Sequence, residues 1–188
     1  MKDEPTGKRA LLVIDMLNDF VLPGAPLEVR STRAVLPALR RRIAAARREG
    51  ECVVYVCDSH RKRDPEFARM GWPPHAVEGT PGAAVVSAIS PLPGDVVVEK
   101  RSYSGFHGTS LAAVLRRRGV RELAISGCVT NICILYTAAD AAMRGFRVTV
   151  DERYVAGLRR KDHDFALEQM ERVLGVRVVR RGGKAGRR

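Results

Sequence analysis

Six short runs rich in β-branched residues punctuate the chain: RALLVID (9–15), CVVYVCD (52–58), DVVVEK (95–100), ELAISG (122–127), FRVTVD (146–151) and VRVVR (176–180). They are too continuously apolar for one-sided strands, and this is the pattern of strands covered on both faces. Between most of them lie segments of helical composition: TRAVLPALRRRIAAARREG (32–50), TSLAAVLRRRG (109–119), NICILYTAADAAMR (131–144) and DHDFALEQMERVLG (162–175). Strand and helix in alternation predict βαβ units, hence an α/β three-layer sandwich around a mostly parallel sheet of roughly six strands. No repeat or linker interrupts the pattern. Residues 1–180 are expected to form a single domain and 181–188 a basic tail without fixed structure.

A chain of 188 residues can bury one sizeable core, and 45% hydrophobic with 29% charged residues is the balance of a globular protein in water. There is no apolar run of about 18 residues and no charged-then-apolar leader, so neither a membrane partner nor secretion is expected, and the cytoplasm is the expected location. The net charge of +12 raises the question of nucleic acid. Five of the positive charges sit in RRGGKAGRR (180–188); others cluster at 40–42, 47–48, 116–118 and 159–161, and most of these clusters fall late in predicted helices, where Arg suits the helix dipole and faces solvent. With no nucleic-acid motif beside them, no specific nucleic-acid partner is expected. The four cysteines, Cys52, Cys57, Cys128 and Cys133, lie in or next to apolar runs without C-x-x-C spacing, so free thiols are expected rather than disulfides.

Sheets of this kind bind ligands at the carboxyl ends of their strands. Asp15 ends the first predicted strand, Asp58 the second and Lys100 the third, while Cys133 follows the fourth. Taken singly each is ordinary, since Asp caps loops, Lys is solvated and Cys packs as a small hydrophobe. Together they have the composition of a site. Cys133 is expected in the first turn of a helix, where unpaired N–H groups and the dipole would favour the thiolate. None of the four histidines stands in a local pattern tied to Cys133, which disfavours a papain-like Cys–His pair.

The stretches VIDMLNDF (13–20), VVEK (97–100) and GCVTNIC (127–133) resemble, in this order, the three signatures of the isochorismatase-like cysteine hydrolases; WPPHAVEGTPGA (72–83) and YSGF (103–106) resemble most the nicotinamidase and pyrazinamidase branch. The resemblance spans nearly the whole chain and implies a Rossmann-type isochorismatase-like fold. It also implies a catalytic triad of Asp15, Lys100 and Cys133. In that family a carboxamide is cleaved through a thioester to an acid and ammonia, Asp15 would carry the proton, and the backbone N–H groups of Val129 and Cys133 would hold the oxyanion. The peptide bond before Val129 would be cis.

The same resemblance assigns Asp58, His60 and His75 to a divalent metal, for which a carboxylate and two imidazoles suit zinc, iron or manganese. Against this, Ser59 replaces the Trp usual between the first two ligands, and no fourth ligand is evident. No organic cofactor is implied. Trp72 and Phe20 would face the two sides of a planar substrate ring, with Tyr103 as a further wall. The expected partners are thus a small-molecule amide and other copies of the chain in a homo-oligomer. Alternatives remain within the family, namely ureido, carbamoyl or maleamate-type amidases, or an isochorismatase, although true isochorismatases generally lack the cysteine. A basic, non-enzymatic binding module using the same fold is a further alternative.

Overall fold

A computed structural model describes residues 8–182. Six strands, β1 (Lys8–Ile14), β2 (Cys52–Asp58), β3 (Val96–Lys100), β4 (Val120–Cys128), β5 (Arg147–Ala156) and β6 (Arg177–Val179), form one sheet in the order β3-β2-β1-β4-β5-β6, with every adjacent pair parallel. The order reverses direction at β1. There the connection leaving β1 goes to β2 on one side while β4 lies on the other, which opens a crevice beyond their carboxyl ends.

Alternation along the strands divides the core in two, because successive side chains point to opposite faces. Leu11 and Val13 of β1, with Val53 and Tyr55 of β2, meet one helix, α2 (Thr32–Arg48), through Val35, Leu39, Ile43 and Ala46. Those four recur at helical spacing, while Arg40, Arg41 and Arg48 on the other side are exposed. Ala10, Leu12 and Ile14, with Val54 and Val56, point the other way, toward α4 (Leu111–Arg117), α5 (Leu135–Met143) and α6 (Arg160–Arg172). The three layers of the expected sandwich are therefore present. Two short helices, α1 (Asn18–Val21) and α3 (Pro65–Met70), follow the first two strands.

Several details differ from the sequence pattern. β3 is an edge strand, and Val97 and Glu99 on its outer face are exposed, so its apolar run is not covered on both sides. β5 continues past the expected 151 to Ala156, because a register shift between Ile125 and Gly127 of β4 lets the strand resume after its charged DER stretch. The expected basic tail is described only as far as Gly182, and the rest lies outside the described residues. Basic residues near helix ends are solvated or paired: Arg42 binds Glu51 and Arg47 binds Asp95, each at 2.5 Å. The four cysteines are free, and among the described residues no helix is long and apolar enough to cross a membrane.

Candidate active site

The strand register brings the first three candidates together. Asp58 and Lys100 are directly paired residues at the ends of β2 and β3, and Asp15 follows the last paired residue of β1, Ile14, whose partner is Val56. Asp15 has φ of 51°, a left-handed conformation that Asp tolerates better than most residues, and its N–H donates to the Val56 carbonyl at 2.9 Å. This bend swings the carboxylate sideways. Asp15 Oδ1 accepts from the Asp58 N–H at 2.8 Å, and Oδ2 lies 2.8 Å from Lys100 Nζ. The lysine ammonium also binds Asp58 Oδ1 and reaches Cys133 Sγ at 3.4 Å.

Cys133 arrives from the other side of the crevice. β4 comes so close to β1 that a Cβ on Gly127, at φ 110°, would overlap the Ile14 backbone; only glycine fits this approach. The Cys128–Val129 peptide bond is cis, as the resemblance implies. The chain then turns through Thr130–Ile134 as one wide π-helical turn before α5 begins at Leu135. Cys133 thus stands in that turn and not in the first turn of a regular α-helix.

Lys100 is 1% exposed, Asp15 2% and Cys133 7%, and their acidities follow from that burial. Asp15 is raised to about 6, chiefly by burial and then by the Asp58 charge, with Lys100 working against both. Asp58 is lowered; burial opposes this, but Lys100 and the nearby His60 imidazole outweigh it. Burial pushes the Cys133 thiol well above its ordinary value, Lys100 pulls it down, and Asp15 and Asp58 push it up again. Burial and the two carboxylates thus favour the thiol form of Cys133, while Lys100 favours the thiolate. A carboxylate that ionises near pH 6, within 4.8 Å of that thiol, can take its proton when a substrate arrives.

Asp15, Asp58 and Cys133 line a cavity of about 240 Å³, with Lys100 buried behind them. Phe20, Trp72 and Tyr103 line it, as expected for a ring-binding pocket, together with Ile132 and Leu158. The rings of Phe20 and Trp72 both flank His75, at 5.6 and 5.9 Å between centroids, and Trp72 lies 6.4 Å from Tyr103. Of the YSGF stretch only Tyr103 faces the cavity. Ser104 instead donates to Asp140 of α5 at 2.5 Å and Gly105 N–H to Thr137 at 2.9 Å, which ties the segment after Lys100 down to the helix after Cys133.

Asp58, His60 and His75 also meet in the cavity, with one ligand atom from each within 4.8 Å of the others. His60 Nδ1 is held by Asp64 at 3.2 Å and His75 Nδ1 by the Pro73 carbonyl at 2.9 Å. Each ring thereby keeps its Nε2 free for the cavity, the arrangement that orients imidazoles toward a metal. Burial holds the His75 pKa below the usual imidazole value and so favours a neutral ring with an available lone pair. Ser59, which follows Asp58 on the extended chain, lines a separate depression with Cys57 and Val97 and not this cavity.

Some residues here had no signal strong enough to be read from the sequence. Glu66, 7% exposed, lines the cavity together with Tyr103. The only local hint is Asp64-Pro65-Glu66, a helix start in which Asp64 caps α3 by accepting from the Glu66 N–H at 3.0 Å. His163 of α6 sits behind the Cys133 turn, its Nδ1 at 2.8 Å from the Thr130 hydroxyl, a contact 33 residues apart in sequence.

With this geometry in hand, comparison with known proteins is informative. Residues 9–180 match the isochorismatase domain. The maleamate amidohydrolase of Pseudomonas putida is 36% identical over 180 residues, covering 92% of this chain and 84% of that protein. Among solved structures, the nicotinamidase/pyrazinamidase PncA from Bacillus subtilis superposes with a TM-score of 0.86 at 32% identity, covering 92% of this chain and 99% of the other. The pyrazinamidase of Pyrococcus horikoshii, in complex with zinc, gives a TM-score of 0.86 at 34% identity over 93% of this chain and 99% of the other. Matched in family domain, in fold and along nearly its whole described length, the chain belongs to the isochorismatase family.

Proposed function

We propose that the protein is a nicotinamidase-like cysteine amidohydrolase, which hydrolyses a small carboxamide to its acid and ammonia. The observation that carries this reading is the Lys100 ammonium, buried 2.8 Å from Asp15 and 3.4 Å from Cys133 behind a cavity walled by aromatic rings. Sγ of Cys133 attacks the carboxamide carbon as its proton passes to Asp15. The new C–S bond pushes the carbonyl electrons onto oxygen, where the N–H groups of Val129 and Cys133 are the proposed donors. When the carbonyl re-forms, the C–N bond breaks, Asp15 returns the proton to the departing nitrogen, and ammonia leaves a thioester. Water then loses a proton to Asp15 and attacks the thioester; the C–S bond breaks, and the returned proton restores the thiol. Throughout, Lys100 offsets whichever of its neighbours is anionic.

Asp58, His60 and His75 would hold a divalent cation beside the triad, with Asp58 shared between the two halves because one of its oxygens binds Lys100 and the other lies 3.7 Å from His60. When bound, such an ion supplies a Lewis-acidic position for a ring nitrogen. Phe20 and Trp72 would orient the ring, and the triad would act on the carboxamide it carries. The likeness to the Pyrococcus horikoshii pyrazinamidase in complex with zinc supports the metal, and the likeness to the maleamate amidohydrolase supports the second reading, an aliphatic amide as substrate.

Ammonia release from nicotinamide, pyrazinamide, maleamate, N-carbamoyl compounds and isochorismate tests the choice. The ring amides are expected to give the highest kcat/KM, with chelation raising their KM more than it lowers kcat. Efficient turnover of maleamate with nicotinamide ignored would move the substrate to the aliphatic branch and leave the triad standing. A pH experiment on metal-free protein checks the proton acceptor. Asp15 must be ionised to accept, so the rate at which iodoacetamide alkylates Cys133 should rise with pH through about 6, and Asp15→Asn should remove that limb. A wild-type rate that passes pH 6 without rising would exclude Asp15 as the base.

A further inference from the structure

Two pieces of the signature stretches take no part in this chemistry: Asn18 and Asp19 of VIDMLNDF, and Gly82 of WPPHAVEGTPGA. In the fold they meet. The segment after Asp15 runs against residues 81–86, with Asn18 N–H donating to the Ala84 carbonyl at 2.9 Å, its side-chain amide donating to the Pro81 carbonyl at 2.8 Å, and Val86 N–H donating to Met16 at 2.9 Å. Within that seam the Asp19 carboxylate accepts from the Ala76 N–H at 2.8 Å. Gly82 packs flat against the same carboxylate, where a Cβ would overlap it.

Ala76 is the residue after His75, and its peptide groups are held from two sides. Its N–H goes to Asp19, while its carbonyl accepts from the His60 N–H at 2.9 Å, and His60 O in turn accepts from Glu78 at 2.9 Å. Among the described residues it is one of two non-glycine residues with positive φ, at 44°, a conformation that a residue with a Cβ resists unless its surroundings hold it. A charge-assisted hydrogen bond from that N–H to a carboxylate is a suitable restraint. The direction of the His75 ring, whose Nδ1 is fixed on Pro73, depends on the bend at Ala76.

We propose that Asp19 is a positioning residue for the imidazole half of the site: seated between the Ala76 N–H and Gly82, its carboxylate sets His75 in the orientation in which Asp58, His60 and His75 take a divalent cation. The inference rests on the metal reading above. Asp19 makes no contact with the reacting thiol in this scheme. The stretch that begins with the proton carrier Asp15 thus ends with the clasp of the metal loop, and one turn of chain couples the two halves.

The test uses the full chain, stripped with a chelator and titrated with zinc alone. Calorimetry and the emission of Trp72, the only tryptophan, which lies 5.9 Å from His75, report binding. Wild type should take up one equivalent, and Asp19→Ala should bind about 10- to 100-fold more weakly, the usual cost of losing an outer-shell partner. Asp19→Asn, whose amide oxygen can still accept from Ala76, should recover most of the affinity, and Gly82→Ala, which displaces the carboxylate without removing it, should weaken binding as Asp19→Ala does. Cys133 alkylation should proceed at the wild-type rate in all three. Zinc affinity unchanged in both Asp19→Ala and Gly82→Ala would overturn the inference, as would parallel loss of zinc binding and Cys133 alkylation, which would mark a general folding role. Failure of the wild type to bind zinc would overturn the metal reading itself and this inference with it.

Discussion

Cys133→Ala abolishes ammonia release and leaves the fold in place: this is the first expected result. The proposed route has no other nucleophile at the carboxamide carbon, and members of a catalytic unit act together, so losing this one should lower kcat by roughly 10⁴-fold or more. Structurally the change is small. The side chain packs in a core cluster beside Ile134 and Ala138, and removing one sulfur from a site that opens onto a cavity leaves neither a charge nor a buried polar group without its partner. Thermal unfolding should therefore change little while turnover disappears. In the wild type, iodoacetamide should label Cys133 before the others. Burial raises the pKa of Cys52, Cys57 and Cys128 too, but Cys133 lines the cavity with the Lys100 ammonium 3.4 Å from its sulfur and the Asp15 carboxylate close by. Full activity in the alanine variant, with ammonia as the readout, would end the cysteine mechanism.

Lys100→Ala is expected to fail in a different way. Its ammonium is buried between Asp15 and Asp58, and removing it leaves two adjacent carboxylates facing each other away from water. Breaking a buried charge network by deleting one partner typically costs about 3–5 kcal/mol. Turnover should be lost as well, because Asp15, already raised to about 6, would be driven higher still and remain protonated at neutral pH, unable to accept the thiol proton. The signature is thus joint loss of activity and stability, with stability recovering as pH falls and the paired acids become neutral. Without the ammonium, the two acids bind protons more tightly in the folded chain than in the unfolded one, so the variant gains stability as pH drops through their folded values. A variant as stable as wild type at pH 8 would show that the ammonium does not carry this role. The double variant Lys100→Met, Asp58→Asn should regain part of the stability and none of the activity.

What could be read before the fold was known follows from the range over which each signal acts. The apolar runs of β1, β2 and β4 identify buried parallel strands because most residues in them meet a helix layer on one face or the other, and the strand-end residues Asp15 and Asp58 follow directly from where the β1 and β2 runs stop, as Lys100 does from β3. β3 reads the same way yet has an exposed face, since an edge position is a property of the sheet order and leaves no mark within five residues. The helix α3 is too short for a full period, so Glu66 could not be placed by pattern. Ser59 is the opposite case. Its neighbours Asp58 and His60 suggest a common pocket, but one step along an extended chain reverses the side chain. The acidity of Cys133 depends on burial set against the Lys100 cation, and the depth of the site leaves no mark in the sequence.

The edge position of β3 has a consequence for how the molecule loses function. Lys100 belongs to a strand hydrogen-bonded to one neighbour only, β2, whereas Asp15 and Cys133 are anchored to the central pair β1 and β4. Local openings of a native protein begin where fewest contacts hold the chain. Fraying of Val96–Lys100 away from β2 would carry the ammonium out of the site while the remaining strands stayed paired, and backbone amides of that strand would exchange with solvent deuterium sooner than those of β1. On warming, the protein would then pass through a folded but inactive population before it melts, and the life of its activity would be set by the hold of one peripheral strand, not by the depth of the core.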